Sequence, residues 1–385
     1  MVVRVRVEPA LLQWAVDRAG WTAAMIESRA PRFHEWVSGE VRPTLKQLES
    51  FANATHTPFG LLFLAEPPEE PMPIPDMRTL RNQRISRPSV DLLDTIYCCQ
   101  SRQEWYREYA LSQGFPPVPF VGEATTSSDP TAAAAKIRQI LHFGLPERRA
   151  FNSGEDAQRK LIDRIESAGV LVMVSGIVGS DTHRKLNPEE FRGFALVDRL
   201  APLIFVNGAD TKAAQLFTMV HELAHVWLGE SALSDAAMAR RSDHDEELWC
   251  NQVAAEVLVP LVAIRSDYRG TANRTELDRL SRLYRVSTLV VLKRLHDAGF
   301  FSWDEYRERY AEEQSRIMSI LMAKRAEGGG GNYYNTQPLR LSRQFARAVI
   351  ADTVEGKTPY REAYQLLGTK KHQTFENLVA EIGAA

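Results

Sequence analysis

The chain has 385 residues, of which 44% are hydrophobic and 25% are charged, and its formal net charge is −2. This composition is ordinary for a globular protein of two or three domains, and the near-zero charge excludes a nucleic-acid-binding surface that covers the whole chain. Three cysteines do not make a disulfide framework, and no apolar run approaches the length of a membrane span. We therefore expect a cytoplasmic protein without a membrane segment.

Residues 1–66 are predicted to form an all-α N-terminal domain. Pro9–Leu64 is divided into five short helices, with start signals at Pro31 for Arg32–Val37, at Thr44 for Leu45–Ala54 and at Pro58 for Phe59–Leu64. Its second half carries a spaced pattern formed by Trp36, Gly39, Glu40, Pro43, Thr44, Leu48 and Ala52. This pattern resembles the helix-turn-helix of XRE-type transcriptional repressors.

Duplex DNA is the first partner that this resemblance implies. In the XRE-type fold the third helix enters the major groove, and Arg29, Arg32 and His34 are the candidate DNA-contacting residues near it. Residues 1–66 carry seven basic and seven acidic residues, however, and DNA affinity rests largely on the neutralisation of phosphates. Two roles therefore stay open for this domain, namely DNA binding and a protein-docking or dimerisation role.

Residues 67–89 are predicted to be a linker. Prolines favour extended polyproline II, a semi-rigid spacer, and five of them fall within nine residues: Pro67, Pro68, Pro71, Pro73 and Pro75. Four arginines follow, at Arg78, Arg81, Arg84 and Arg87. We interpret them as a solvated basic connector, with contact to nucleic acid as the alternative.

Residues 90–326 are predicted to form an α+β domain. Helices are expected at Val90–Ser112, Thr131–Phe143 and Gly154–Ala168. Apolar runs then predict three strands, at Gly169–Val174, Gly193–Val197 and Pro202–Val206. The last two strands are expected to pair, which places a small sheet in the middle of this domain.

The segment His221-Glu222-Leu-Ala-His225 carries the clearest chemistry. Histidines four residues apart share one face of a helix, so both imidazoles can reach one Zn²⁺ at about 2.0–2.1 Å. Glu222 directly follows the first histidine, where a carboxylate can accept a proton from an attacking water and pass it to a leaving amine. The alternative is a core helix with two incidental histidines, but a chance match is expected in only about one such chain in a hundred.

A catalytic zinc needs a third protein ligand. The extended motif H-E-x-x-H-x-x-G-x-x-H is excluded, because Leu228 and Ser231 stand where it requires glycine and histidine. The other solution takes an acid from the next predicted helix. Our first choice there is Glu247, followed by Glu246 and then His244. Acidic residues also occur at a helix start simply because they favour the helix dipole.

The segments Phe217–His225 and Glu247–Pro260 read F-T-x-x-H-E-L-A-H and E-x-x-x-N-x-x-A-A-E-x-L-x-P. Together they resemble the ImmA/IrrE family of zinc metallopeptidases, and the likeness covers roughly Gly169–Pro260. The resemblance implies metal ligands at His221, His225 and Glu247 and a general base at Glu222. It also implies a protein substrate, since the family is known for cutting a helix-turn-helix repressor and so relieving repression, which connects it to transcription regulation and the stress response.

The remainder of the chain is predicted to be helical. Residues 261–326 are interpreted as a helical buttress behind the ligand helix, with a second helix-turn-helix as the alternative. Gly328–Gly331 is predicted to be a flexible joint, because no G-K-[ST] follows it. Residues 332–385 are predicted to form a helical C-terminal module, to which we assign no chemistry beyond partner binding or dimerisation.

We therefore predict an α+β zincin-like metallopeptidase domain, a small sheet plus the HExxH helix, between the two helical modules. The leading function is a gluzincin-like zinc endopeptidase whose substrate, a repressor, adds as an extra strand to an open sheet edge. His244 and Tyr268 are candidates for stabilising the oxyanion. The alternative is a DNA-binding regulator or antitoxin in which the zincin domain senses a ligand or dimerises. A purely structural zinc site would need a fourth ligand, which the sequence does not offer.

Overall fold

The computed structural model describes residues 3–76, 88–234, 245–326 and 339–383. They form a mixed α+β protein with a small sheet and many helices, in agreement with the predicted class. Its described residues divide into two compact units. The first holds those of Met1–Pro73 and Ile85–Ile96, and the second holds those of Ile74–Arg84 and Tyr97–Ala385. The arginine-rich part of the predicted linker, residues 78–87, and the glycine joint lie outside the described residues.

The first unit is built from short helices. They are α1 (Pro9–Arg18), α2 (Ala23–Arg29), α3 (Phe33–Ser38), α4 (Leu45–Ala54) and a 3-10 helix (Phe59–Phe63). The predicted bounds of α4 are confirmed, because Thr44 and Gln47 form a capping box at its start. Phe51 of α4 contacts the rings of Trp21, Phe33 and Trp36, which form the core. The XRE-type resemblance of this unit stays a prediction.

Between the first unit's helices and the sheet, the described residues form four further helices. They are α5 (Val90–Ser112), α6 (Pro130–Ile140), α7 (Leu145–Arg149) and α8 (Gly154–Ser167). Two of these helices have a side-chain cap at their N-terminus. The Asp129 carboxylate accepts hydrogen bonds from the first backbone amides of α6, and the Ser153 hydroxyl accepts one from Asp156 N of α8. The predicted bounds of α5 are confirmed, and α6 ends three residues earlier than predicted.

The main sheet has four strands in the order β1-β5-β4-β6. Its strands are β1 (Leu171–Ser175), β4 (Gly193–Leu196), β5 (Leu203–Asn207) and β6 (Ala232–Ser234), while β2 (Ile177–Val178) and β3 (Asp181–Lys185) form a separate hairpin. β1 runs parallel to β5, and β4 pairs antiparallel with β5, which confirms the predicted strand pair. The hairpin was not predicted, because β3 is exposed and polar and lacks the alternation of a half-buried strand.

The expectation of an open sheet edge is wrong on the β6 side of the sheet. The outer side of β4 pairs antiparallel with β6. On the far side of β6, Leu233 N donates a 3.0 Å hydrogen bond to Pro75 O, and Asp76 forms a parallel bridge with Leu233. Part of the proline-rich segment therefore runs along this edge. Local periodicity could not reveal this pairing, because it joins residues far apart in the chain.

Helices fill the rest of the second unit. They are α9 (Lys212–Leu228), α10 (Asp245–Leu258), α11 (Leu261–Asp267), α12 (Arg274–Tyr284), α13 (Thr288–Asp297), α14 (Trp303–Ala326), α15 (Arg343–Val354), α16 (Tyr360–Leu367) and α17 (His372–Gly383). α9 packs against β4, β5 and α10, and α10 also packs against α6. Within the described ranges no single helix is long and apolar enough to span a membrane, although the pair α10–α11, bent by 50°, passes on length and composition.

The C-terminal helices pack on the same unit as the sheet. Arg102 Nε of α5 donates a 3.0 Å hydrogen bond to Leu366 O, and Ser180 Oγ donates one of 2.6 Å to Gly368 O. Arg102 is buried. These bonds tie α16 to α5 and to the β2–β3 connection.

Candidate metal and catalytic site

The helix α9 carries three of the predicted site residues. Thr211 starts it by accepting a hydrogen bond from Ala214 N, and Gly229 ends it with φ +78°, a conformation that favours glycine. His221, Glu222 and His225 all have no solvent exposure. Apolar neighbours on the same helix are buried against the sheet and α10, so the core fixes the direction of the three polar side chains.

The helix α10 brings Glu247 to the two histidines, and three arginines hold the far end of this helix. The last carbonyls of a helix have no partner inside it, and here guanidinium groups from α6, α7 and α13 bond to them. The pairs are Arg138 with Glu256 O (2.6 Å), Arg148 with Leu258 O (2.5 Å) and Arg294 with Val259 O (2.7 Å). Positive charge at this end also complements the helix dipole.

The two histidines and Glu247 meet at one point. His221 Nε2 lies 3.2 Å from His225 Nε2, which lies 3.2 Å from Glu247 Oε1, and His221 Nε2 lies 3.3 Å from Glu247 Oε2. Three ligands of a tetrahedral zinc at about 2.0–2.1 Å are separated from one another by about 3.3 Å. The donor triangle therefore has the dimensions of a zinc site.

Hydrogen bonding alone does not account for this triangle. A neutral imidazole has one donor and one acceptor nitrogen, so each Nε2 can donate to one carboxylate oxygen of Glu247. That arrangement leaves two Nε2–H groups facing each other at 3.2 Å, which is unfavourable. A cation between His221, His225 and Glu247 removes the conflict, because all three groups then offer lone pairs to it. The residues present fit a divalent metal with nitrogen and oxygen ligands, and zinc matches this set.

The protonation states suit metal binding. Burial lowers the pKa of His225, which favours the neutral imidazole that a metal requires. Burial alone would raise the pKa of Glu247, but the neighbouring His221 and His225 outweigh it and hold that pKa well below its ordinary range. Burial raises the pKa of the nearby Cys250 thiol well above its ordinary value, and the donor atoms that meet at one point are those of His221, His225 and Glu247.

Glu222 is enclosed by the sheet. A Cβ on Gly193, the first residue of β4, would fall 2.9 Å from Glu222 Oε1, 2.8 Å from Phe205 O and 2.6 Å from Thr218 Cγ2. Only a residue without a side chain lets β4 pass so close to the carboxylate. The structure therefore adds Gly193 to the site. Sequence reasoning missed this contact, since a glycine at the start of a strand gives no sign of what it touches.

The other ligand and oxyanion candidates have less support. Glu246 is half-buried, and its neighbour Glu247 is the acid that reaches the two histidines. His244 lies outside the described residues. Tyr268 follows α11 and packs against Phe300, with ring centroids 4.6 Å apart.

The candidate DNA-contacting residues lie on and before α3 of the first unit. The Arg32 guanidinium donates to Glu35 through Nε (2.9 Å) and Nη2 (2.6 Å), and the guanidinium of Arg29 lies over the Trp21 ring. His34 packs edge-on against Phe33. The charge of Arg32, which directly precedes α3, is thus paired with Glu35 of that helix. DNA binding by this unit stays a prediction.

Comparison with protein families agrees with the geometry. Residues 165–296 match the family model described as IrrE N-terminal-like domain (Peptidase_M78), a range that contains α9 and α10. This match supports the ImmA/IrrE resemblance and a protease of that type, and such peptidases are typically zinc-dependent. Residues 341–381 match a model described as Domain of unknown function (DUF8813), which covers the C-terminal helices. No curated protein matches the chain.

Proposed function

We propose that this protein is a zinc-dependent endopeptidase of the HExxH-plus-Glu type that cuts a helix-turn-helix repressor and thereby regulates transcription. The observation that carries the proposal is the buried triangle of His221, His225 and Glu247, with Glu222 beside it. The family match over residues 165–296 supports the peptidase class. The repressor as substrate rests on the resemblance to the ImmA/IrrE family.

Each side chain has one role in this reaction. His221, His225 and Glu247 would hold the cation through two imidazole nitrogens and a carboxylate. Zinc, when bound there, polarises the scissile carbonyl and makes water more acidic. Glu222 accepts the proton of the attacking water and returns it to the leaving amine, so the carboxylate ends the cycle as it began.

The environment of Glu222 assists this proton transfer. The carboxylate is fully buried, and the backbone of β4 at Gly193 closes one side of it. Such packing excludes bulk water and holds the carboxylate in one orientation, which lowers the cost of positioning a general base. A structural zinc site has no need of a carboxylate at this place, so the position of Glu222 favours catalysis over a purely structural role.

The test is cleavage of candidate repressors by zinc-loaded protein, with mass spectrometry of the products. We expect one cut with the unsubstituted protein and a loss of at least about a hundredfold in rate for Glu222→Gln, the range of general acid–base catalysis. Glu230→Gln changes an exposed carboxylate just after the same helix and should keep the activity. Zinc content measured on all three proteins separates a lost base from a lost metal.

Two outcomes would contradict the proposal. If Glu222→Gln cleaved the substrate as fast as the unsubstituted protein, Glu222 would not be the general base. No cleavage by a zinc-loaded protein across the repressors tested would favour the DNA-binding regulator instead, and binding of duplex DNA by the full chain, with Arg29→Gln and Arg32→Gln as variants, would then decide.

A further inference from the structure

A cavity with a volume of about 620 Å³ lies between α5, α8 and α15, apart from the candidate metal site. Pockets that hold small ligands range over about 300–1,000 Å³. One wall belongs to α15, which is part of the segment that matches a domain of unknown function. The cavity is therefore formed jointly by that segment and by helices of the same unit that precede the sheet.

One side of the cavity is aromatic. Tyr106 and Tyr109 of α5 lie with ring centroids 6.0 Å apart, and Phe115 meets Tyr109 edge-on at 6.0 Å. Phe115 is 44% exposed, although it is a large apolar side chain. Burial raises the pKa of Tyr106 to about 12, so its phenol is neutral. This side offers ring faces and edges to an apolar or aromatic group.

The lining also carries positive charge. Arg343 and Arg347 stand one turn apart on α15, are exposed, and border the cavity. Among the ion pairs between residues that the structure describes, none involves either guanidinium. Hydrogen bonds hold the start of α15, the helix that carries both arginines. Glu166 Oε1 accepts a 3.1 Å hydrogen bond from Arg343 N, and Ser342 Oγ accepts one from Phe345 N. Two guanidiniums with this spacing suit a carboxylate.

Hydrogen-bond acceptors complete the lining. Gln344 Nε2 donates a 2.7 Å hydrogen bond to the Tyr106 hydroxyl, which fixes the orientation of the amide. Its Oε1 is buried and has no hydrogen-bond partner among the residues described. The exposed Asp163 of α8 adds a carboxylate. Of these two acceptors, the Asp163 carboxylate is the exposed one, which a donor from a ligand in the cavity can reach.

We propose that this cavity binds a small zwitterion with an apolar or aromatic side chain, either a free amino acid or a peptide of two or three residues. The ligand carboxylate pairs with Arg343 and Arg347, and its ammonium group donates to Asp163. Its side chain packs on the aromatic side. A simple anion would meet the carboxylate of Asp163, and a simple cation would meet two arginines.

The first experiment titrates the full chain with L-phenylalanine and with the tripeptide Phe-Gly-Gly in a calorimeter. Phenylacetate, phenethylamine and N-acetylphenylalanine amide serve as analogues that lack the ammonium group, the carboxylate or both charges. We expect binding of at least one zwitterion, at least tenfold tighter than any analogue. Tighter binding of phenylalanine identifies a free amino acid as the ligand, and tighter binding of the tripeptide identifies a peptide.

The second experiment repeats the titration with single variants. Arg347→Gln and Asp163→Asn are expected to weaken binding at least tenfold each, and both change exposed side chains, so the thermal midpoint should be unchanged. Arg361→Gln, an exposed arginine of α16 outside this cavity, is the matched control and should bind as the unsubstituted protein does. No binding of either zwitterion at millimolar concentration, equal affinity for the uncharged analogue, or unchanged affinity in both variants would overturn the proposal.

Discussion

The carboxylate of Glu222 lies directly against the backbone of Gly193. A Cβ at that position would stand 2.9 Å from Glu222 Oε1 and 2.8 Å from the carbonyl oxygen of Phe205. The oxygen of Phe205 belongs to the neighbouring strand β5, so it cannot give way without disturbing the sheet. A glycine on one strand therefore sets the place of an acid on the helix packed beneath it.

We expect Gly193→Ala to lower the rate of substrate cleavage by at least about tenfold while zinc binding persists, because Glu222 would be displaced and the ligands would not. A displacement of about 1 Å is enough for a loss of this size. Cleavage rate and zinc content would be measured side by side. Gly154→Ala adds a Cβ in open space and is the control. An unchanged rate in Gly193→Ala would show that β4 does not position the base.

The choice between neighbouring acids can be tested by metal affinity. Glu247 reaches both histidines, so the variant Glu247→Ala should bind zinc at least a hundredfold more weakly. The variant Glu246→Ala should bind zinc almost as tightly as the unsubstituted protein. Competition with a chromogenic chelator measures both. Removal of zinc should also lower the thermal midpoint of the unsubstituted protein, since a ligand that binds only the folded state stabilises it. A larger loss in Glu246→Ala would reverse the ligand assignment.

The ion pair between Arg294 and Glu256 predicts a large effect on stability. Both side chains are buried, and Arg294 also bonds to Val259 O at the end of α10. Breaking a buried pair leaves one charge uncompensated and costs about 3–5 kcal/mol. We expect the thermal midpoint of Arg294→Met to fall on the order of 10 °C. The exposed Arg282 gives the control variant Arg282→Met.

A double variant checks the cause of that loss. Adding Glu256→Gln to Arg294→Met removes the uncompensated carboxylate, so the double variant should recover part of the lost stability. If the two substitutions simply add, the loss comes from packing and not from the buried charge.

Glu166 predicts a dependence of stability on pH. Burial raises its pKa to about 7, although Ser342 and the backbone of Arg343 and Val172 donate hydrogen bonds to it. The folded state therefore binds more protons than the unfolded state between about pH 4.5 and 7, and the free energy of unfolding falls as pH rises through this window. Over the whole window the free energy of unfolding falls by on the order of 3 kcal/mol.

The comparison of Glu166→Gln with the unsubstituted protein isolates this effect. The amide keeps an acceptor for Arg343 N and does not ionise, so the fall in melting midpoint between pH 5 and 7 should shrink. The exposed Glu155 of the same helix gives the control variant Glu155→Gln. If the melting midpoint of Glu166→Gln depended on pH in the same way as that of the unsubstituted protein, Glu166 would ionise in the folded protein as freely as in the unfolded chain.

Local signals in the sequence were enough for part of this molecule. The spacing of His221 and His225 placed both on one helix face, and the acid one helix later is the one that meets them. The bounds of α4 and α5 followed from capping residues and apolar periodicity. The shared helix face and the helix bounds are set by residues within a few positions of each other, which is why a single sequence shows them. Glu247 lies 22 residues from His225, and the sequence left it as the first of three candidates.

The missed features depend on partners distant in the chain. Arg148 bonds to a carbonyl 110 residues away, and Arg294 to one 35 residues away. An arginine that holds the end of a helix has the same local pattern as an arginine in solvent. The contact of Gly193 with Glu222 likewise exists only once the sheet lies on α9. Tertiary packing, not local preference, decides these positions.

The pairing of Pro75 with Leu233 also bears on solubility. An uncovered strand edge offers free amide and carbonyl groups to the edges of other molecules, which is a common start of aggregation. Here the segment beside β6 contains Pro75, which has no N–H to donate. Within the described residues, this segment covers the edge of β6 at Leu233. Chains that lose residues 74–76 should therefore self-associate before they lose their helical content.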